Sequence, residues 1–212
     1  MSVDKFCART PLDVVRLVRG QPLAWIVSDS GGGGNPIATL LPLLAAPTGG
    51  QVTALTGHFA RSNPHVPALQ RDSRALVLFL GVNGYISPSW MADRTQAPTW
   101  NYASARFVVD VEFFEDAARI QAHLRELVGV MEVGRAAAWQ IDEMGTRYRT
   151  LSRRVIGFVA HVREVGAKFK LGQDERDDVF ADIVRGLERE HSAELLEWMQ
   201  AFNPQRPHPV PE

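Results

Sequence analysis

Six apolar runs follow one another at short spacing through the first half of the chain: PLAWIVS (22–28), PIATLLPLLAA (36–46), QVTALTGH (51–58), RALVLFLG (74–81), GYISPSW (84–90) and WNYASARFVVDVEFF (100–114). Turn-forming residues separate them. Such lengths and turns fit an antiparallel meander, and five or six strands of this kind close into a small barrel. Gly31–Gly34, after the first run, lack the strand, glycine loop and helix succession that cradles a phosphate, so a flexible hairpin loop is expected there.

The period changes elsewhere. TPLDVVRLVRG (10–20) predicts a short amphipathic helix, with Thr10 as cap, Pro11 in its first turn and Leu12, Val15 and Val18 on one face. The segment 115–132 carries a helical stripe of Ala118, Ile120, Leu124, Leu127, Val128 and Met131. A helix over 143–153, a strand over 155–165 and helices over 174–189 and 191–201 follow. The expected architecture is α+β, one domain over 1–203, with a loose proline-rich tail over 204–212.

Composition narrows the function classes. Formal net charge is −1, with Lys+Arg 23 against Asp+Glu 24, so no global field draws the chain to nucleic acid or an anionic membrane. The basic cluster RYRTLSRR (147–154) reads as a solvated helix face. Cys7 is the only cysteine, which excludes an intrachain disulfide. No apolar run approaches the ~18 residues of a membrane span, no signal pattern opens the sequence, and a cytoplasmic address is expected. The sequence has no G-x-G-x-x-G after a strand, no Walker loop, no H-E-x-x-H and no G-x-S-x-G elbow. His123 and His161 have no ligand-spaced partners and read as core or solvated histidines rather than metal ligands.

Three stretches concentrate polar chemistry. In GHFARSNP, Asn63 and Pro64 read as a helix start, which sets Arg61 beside backbone N–H groups that favour an anion. A guanidinium fork there suits a phosphate; the alternative is an ordinary pair with a surface carboxylate. Gly57 would admit a ligand close to the backbone, and His58 would hydrogen-bond it. In YISPSW, alternation places Tyr85, Ser87 and Ser89 on one face, with Pro88 restricting the strand to an edge or end. PTWNY (98–102) brings hydroxyl, amide and flat aromatic groups together, which suits either a planar heterocycle or an aromatic cross-strand pair.

RGQPLAWIVS, GHFARSNP, GYISPSW, APTWNY and AKFKLGQD, in this order, resemble the PaiB-type FMN-binding negative transcriptional regulator family. The resemblance spans roughly residues 5 to 190. It implies a six-stranded antiparallel split β-barrel with flanking helices, a homodimer, and FMN at the dimer interface with Arg61 on its phosphate. It also makes His58, Ser62, Asn63, Ser87, Ser89, Trp90, Thr99, Trp100 and Asn101 pocket candidates, with Lys170 and Gln173 from the C-terminal segment. Family histidines are replaced by Leu40 and Arg106, and a family serine by Gly172. The resemblance allows DNA contact, which the charge does not support; a regulator of this kind could act through metabolism or a protein partner instead. Two other readings stand beside it: a flavin-dependent oxidoreductase using NADH or NADPH, and a barrel that binds haem or no cofactor.

Overall fold

The computed structural model describes residues 5–30 and 34–206. Gly31–Gly33 of the expected hairpin loop and residues 207–212 of the expected loose tail lie outside the described residues. In chain order the elements are α1 (Pro11–Gly20), β1 (Leu23–Ser28), β2 (Ile37–Pro42), β3 (Leu44–Thr48), β4 (Gln51–Ala60), α2 (His65–Arg71), β5 (Arg74–Ile86), β6 (Thr99–Phe114), α3 (Ala117–Glu132), α4 (Thr146–Ser152), β7 (Val155–Lys170), α5 (Asp177–Arg189) and α6 (Ala193–Phe202). Single 3₁₀ turns occupy Pro88–Trp90 and Ile141–Met144.

The strands form one seven-stranded sheet in the order β2-β1-β5-β6-β7-β4-β3, against the six expected. Two changes among the early runs cancel in number, and the seventh strand is β7, the late run at 155–165. The run 36–46 is broken at Leu43, whose N–H turns away to donate to the Pro22 carbonyl at 2.8 Å, so β2 pairs with β1 while β3 pairs with β4. The runs 74–81 and 84–90 are instead one strand, β5, stopped where Pro88 begins its turn. The late strand also runs on to Lys170.

The chain packs as two compact units, and β5, β6 and β7 each contribute residues to both. The barrel unit comprises Pro22–Phe79 and Arg106–Val165. Its outermost strands β2 and β3 are joined through Leu43 alone, so the sheet in this unit curls back on itself. Phe59 stacks on Phe158 at 4.9 Å between centroids, and Leu43, Leu55, Ile26, Val77 and Phe107 are fully buried around the interior. Gly57 faces Phe158 across the β4–β7 ladder. A Cβ there would stand 2.6 Å from Leu43 and 2.8 Å from Phe158, so the interior itself requires glycine. Helix α3 buries Ile120, His123 and Leu127 while Met131 stays exposed, a narrower stripe than the sequence suggested, with a histidine at its centre.

The helical unit comprises Met1–Gln21, Leu80–Ala105 and Gly166–Glu212. Helix α1 buries Val14, Val15, Leu17 and Val18 and leaves Leu12 exposed. Its buried Asp13 accepts from the Thr10 N–H at 3.1 Å and the Arg9 guanidinium at 2.7 Å, which satisfies an otherwise costly carboxylate. The Asp13 carboxyl is held below its usual value: burial raises it, and the hydrogen bonds and charge of Arg9 and Thr10 outweigh that. Helices α5 and α6 pack against each other, and α6 covers Phe169, which stacks on Phe202 at 5.0 Å. Between them the chain turns at His191, with φ 56°. The Ser192 N–H reaches the Leu187 carbonyl and the His191 N–H the Glu188 carbonyl, the paired bonds of a left-handed helix stop where glycine is the usual residue. His191→Gly is therefore expected to raise stability by about 1 kcal/mol in urea denaturation.

Candidate functional site

The sequence-predicted residues fall into two sets, one in each unit. In the barrel unit, Arg61 follows the end of β4. Its backbone N–H donates to the Arg154 carbonyl at 2.8 Å and its Nε to the Arg153 carbonyl at 3.1 Å. Its Nη1 donates to Glu115 Oε2 at 2.6 Å, in a pair whose side chains are 38% and 61% exposed. The guanidinium is thus aimed and held by the turn ahead of β7, and a solvated carboxylate occupies its fork. Exposed pairs of this kind are worth about 0–1 kcal/mol, little enough for a dianionic phosphate to replace. Ser62 lies exposed in the same turn.

The expected helix start departs from the sequence reading. α2 begins at His65 rather than Pro64, spans 7 residues, and spends its first donors locally. The His65 N–H reaches Asn63 Oδ1 at 2.9 Å and the Val66 N–H reaches the Asn63 carbonyl at 3.0 Å. Asn63 does cap the turn, but that leaves the helix end little to offer an anion. Arg61 carries whatever anion affinity this corner has.

His58 points from β4 to α3. Its Nδ1 lies 3.1 Å from His123 Nε2, with the rings edge to face at 5.3 Å. Burial pushes both imidazoles toward the neutral form; His123 falls to about 4, with the charge of His58 adding to the effect of burial. His65, fully buried, is gripped on both ring nitrogens at 2.9 Å by the Ser28 and Thr39 hydroxyls, which ties α2 to β1 and β2. Sequence reasoning missed this last pairing, because the partners come from two different strands. His161 is solvated and meets Glu112 at 3.1 Å. Among the described residues no group of three or more His, Cys, Asp or Glu is arranged to hold a metal ion.

Both departures in this unit are placed on its surface. Arg106 pairs with Glu164 at 2.7 Å. Leu40 is directly opposite Trp25, which is in turn opposite Leu78, and the three are 44%, 48% and 37% exposed. They form a continuous apolar row across β2, β1 and β5.

In the helical unit the alternation expected for Tyr85, Ser87 and Ser89 ends at Ile86, and the serines lie in the 3₁₀ turn instead. Ser87 Oγ accepts from the Ser89 N–H at 3.2 Å, and the two hydroxyls are 2.7 Å apart. Trp90 packs flat on α5, where a Cβ at Gly186 would stand 2.4 Å from its ring. Lys170 Nζ donates to Thr99 Oγ1 and, at 3.0 Å, to the Trp100 carbonyl. The Trp100 indole is 54% exposed and meets Tyr85 edge to face at 6.0 Å, the cross-strand aromatic pair. Asn101 is 1% exposed; its Nδ2 has only Met199 Sδ at 3.4 Å, and its Oδ1 has no partner. Gln173 is spent on the backbone: its Nε2 donates to the Phe169 carbonyl at 2.6 Å and its Oε1 accepts from the Leu171 N–H at 2.7 Å. It closes a turn whose Gly172 sits at φ 82°, a left-handed position that explains glycine where the family has serine.

No helix of the described residues is long and apolar enough to cross a membrane. A family model described as "Putative FMN-binding domain" matches residues 2–164. Over 171 residues the chain is 28% identical to the "Protease synthase and sporulation protein PAI 2" of Bacillus subtilis, covering 77% of this chain and 81% of that protein. Among solved structures it is similar to the FAD and heme binding protein from Mycobacterium smegmatis (TM-score 0.58, 19% identity, 82% of this chain and 78% of that one). It is also similar to the flavocytochrome Anf3 from Azotobacter vinelandii (TM-score 0.59, 16% identity, 78% and 71%). At such identities those two share its fold. With most of its length matched by that family model and by the Bacillus protein, the chain belongs to the FMN-binding domain family of PaiB type.

Proposed function

We propose that this protein is an FMN-binding homodimer with a regulatory role of the PaiB type, its cofactor seated at the subunit interface. The observation that carries the cofactor reading is Arg61: its backbone is tied to the Arg154 carbonyl, its guanidinium is fixed by the Arg153 carbonyl, and its fork is otherwise met by an exposed carboxylate. Its planar fork matches a terminal phosphate, and Ser62 supplies a hydroxyl in the same turn. In the helical unit, Thr99, Trp100, Asn101 and Lys170 are proposed as contacts to the flavin on their own chemistry. They offer an exposed indole face, an ammonium held at the strand end and an amide carbonyl without a partner. An orphaned buried acceptor is costly, and it fits a group that brings its own N–H. FMN supplies one- and two-electron redox chemistry when bound, so no nucleophile and base pair is required of the chain.

The absorption spectrum of the purified protein and a fluorescence titration with FMN test the reading. Arg61→Ala is expected to weaken FMN binding at least tenfold, since a charged hydrogen bond to phosphate is worth about 1.5–3 kcal/mol. An unchanged dissociation constant removes Arg61 from the site.

Homodimerisation rests on the row Leu40, Trp25 and Leu78. Bare apolar side chains on directly paired strands are what a subunit interface covers. Trp25→Glu is expected to convert a dimer to a monomer in light scattering; a mass that stays that of a dimer rejects this face. The regulatory role is proposed without direct DNA contact, given a net charge of −1. Retarded migration of promoter DNA at moderate salt and micromolar protein would reverse that part.

A further inference from the structure

Within the barrel unit, the chain between α3 and α4 borders a half-open cavity that neither the flavin nor the dimer reading uses. Arg125, Val128, Gly129 and Glu132 of α3 form one wall, and the segment 133–141 returns across them around about 510 Å³. Buried Ile141 anchors the return, and the Trp139 N–H donates to Glu132 Oε2 at 3.0 Å, which holds the segment to the helix. The same stretch leaves Val130, Met131, Val133 and Trp139 in solvent, Val133 by 79%. At Gly129 no heavy atom lies within 4 Å of where a Cβ would be, so the helix surface is bare on that side.

The charges of the cavity decide what it takes. Arg125 forks onto the Asp142 carboxylate, with Nη1 to Oδ2 at 2.8 Å, and Arg135 pairs with Glu132 at 3.4 Å. The two arginines are balanced by Asp142 and Glu132 within this stretch, so the site offers no net charge to draw in a charged ligand. What remains is an apolar floor of Val128 and Ile141, with Val133 at the solvent rim and the indole of Trp139. The volume lies in the range of small-molecule sites, roughly 300–1,000 Å³, which are mostly apolar with an aromatic wall.

We propose that this cavity is a binding site for a small, uncharged, planar aromatic molecule that stacks on Trp139 and lies over Gly129. The flavin does not enter the argument, so the two readings fail separately.

N-phenyl-1-naphthylamine, neutral and fluorescent only in an apolar site, is the probe, titrated into the full chain. Saturable binding at one probe per chain is expected. Gly129→Leu fills the space from within, meets no atom and replaces a glycine inside a helix by a better helix former, so it should fold. It is expected to weaken probe binding at least tenfold while FMN binding stays as in the unaltered protein; Trp139→Ala is expected to lose a similar factor. Binding that does not saturate, or Gly129→Leu binding the probe as the parent does, overturns the site. The anionic analogue 8-anilinonaphthalene-1-sulfonate binding equally tightly overturns the selection for uncharged ligands. Should Gly129→Leu instead change the molecular mass in light scattering, a second copy covers the cavity and the proposal fails.

Discussion

Gly157→Ala is expected to destabilise the protein by about 2–3 kcal/mol, the upper part of the range for overpacking a filled interior. Gly157 lies in β7 opposite His58, and an ideal Cβ there would stand 2.2 Å from Phe114 Cε2 and 2.3 Å from Cζ. Contacts that short do not exist, so the ring at the end of β6 has to leave. Phe114 is itself buried, with the Arg119 guanidinium over its outer face at 4.1 Å, and displacing it also breaks that contact. Urea denaturation measures the loss. Phe114→Leu, which removes the colliding atoms, supplies the control: in the double variant the cost of Gly157→Ala should fall by more than 1 kcal/mol relative to its cost alone. Strictly additive effects would show that the strain is relieved elsewhere.

That glycine illustrates how far the fold can be read from sequence. The strand-forming runs, the helix at 10–20 and the period change at 115 follow from side-chain alternation and turn residues, which are local. The break at Leu43 is only half local: Pro42, which has no N–H for a ladder, stands just ahead of it, while the Leu43 amide bonds Pro22 further back along the chain. The merger of two runs into β5 was hidden for a similar reason, since Gly84 reads as a turn yet continues the strand. Likewise Gly57 and Gly157 are glycines because of aromatic rings supplied by other strands.

The candidate residues were legible as motifs, and their roles less so. Arg61 is oriented by carbonyls that lie 92 and more residues further along the chain. Gln173 and Ser87 looked like ligand contacts, yet here they bond the backbone of their own turns. Leu40 reads in sequence only as a missing imidazole; beside Trp25 it becomes part of an apolar row. Motif chemistry names the side-chain types, and long-range strand pairing decides which atoms remain available.

The buried pair His58 and His123 makes stability depend on pH, and the direction follows from their placement. A single hydrogen bond of 3.1 Å joins them, and His123 Nδ1 is buried without a partner. The cheaper neutral arrangement has His123 Nε2 donating to His58 Nδ1, which leaves a bare lone pair rather than an orphaned N–H. Adding a proton would bury a charge beside a second imidazole with no carboxylate to meet it. Both groups accordingly have folded values below the ordinary 6.5, His123 at about 4, and His65 is shifted the same way by burial. The unfolded chain then binds more protons than the folded one below pH 6.5, so this stability is fully present above 6.5 and is lost as pH falls toward 4. Solvent reaching the pair screens part of the penalty, and a loss of about 2 kcal/mol from His123 is expected between pH 7 and about pH 4.5. Carboxylates contribute to any acid transition, so the informative quantity is a difference. His123→Gln keeps a side-chain donor and acceptor near His58 without titrating, and it should flatten the pH dependence of urea stability by about that amount. If the variant and the parent lose equal stability over this interval, the imidazole pair is not what makes the barrel sensitive to acid.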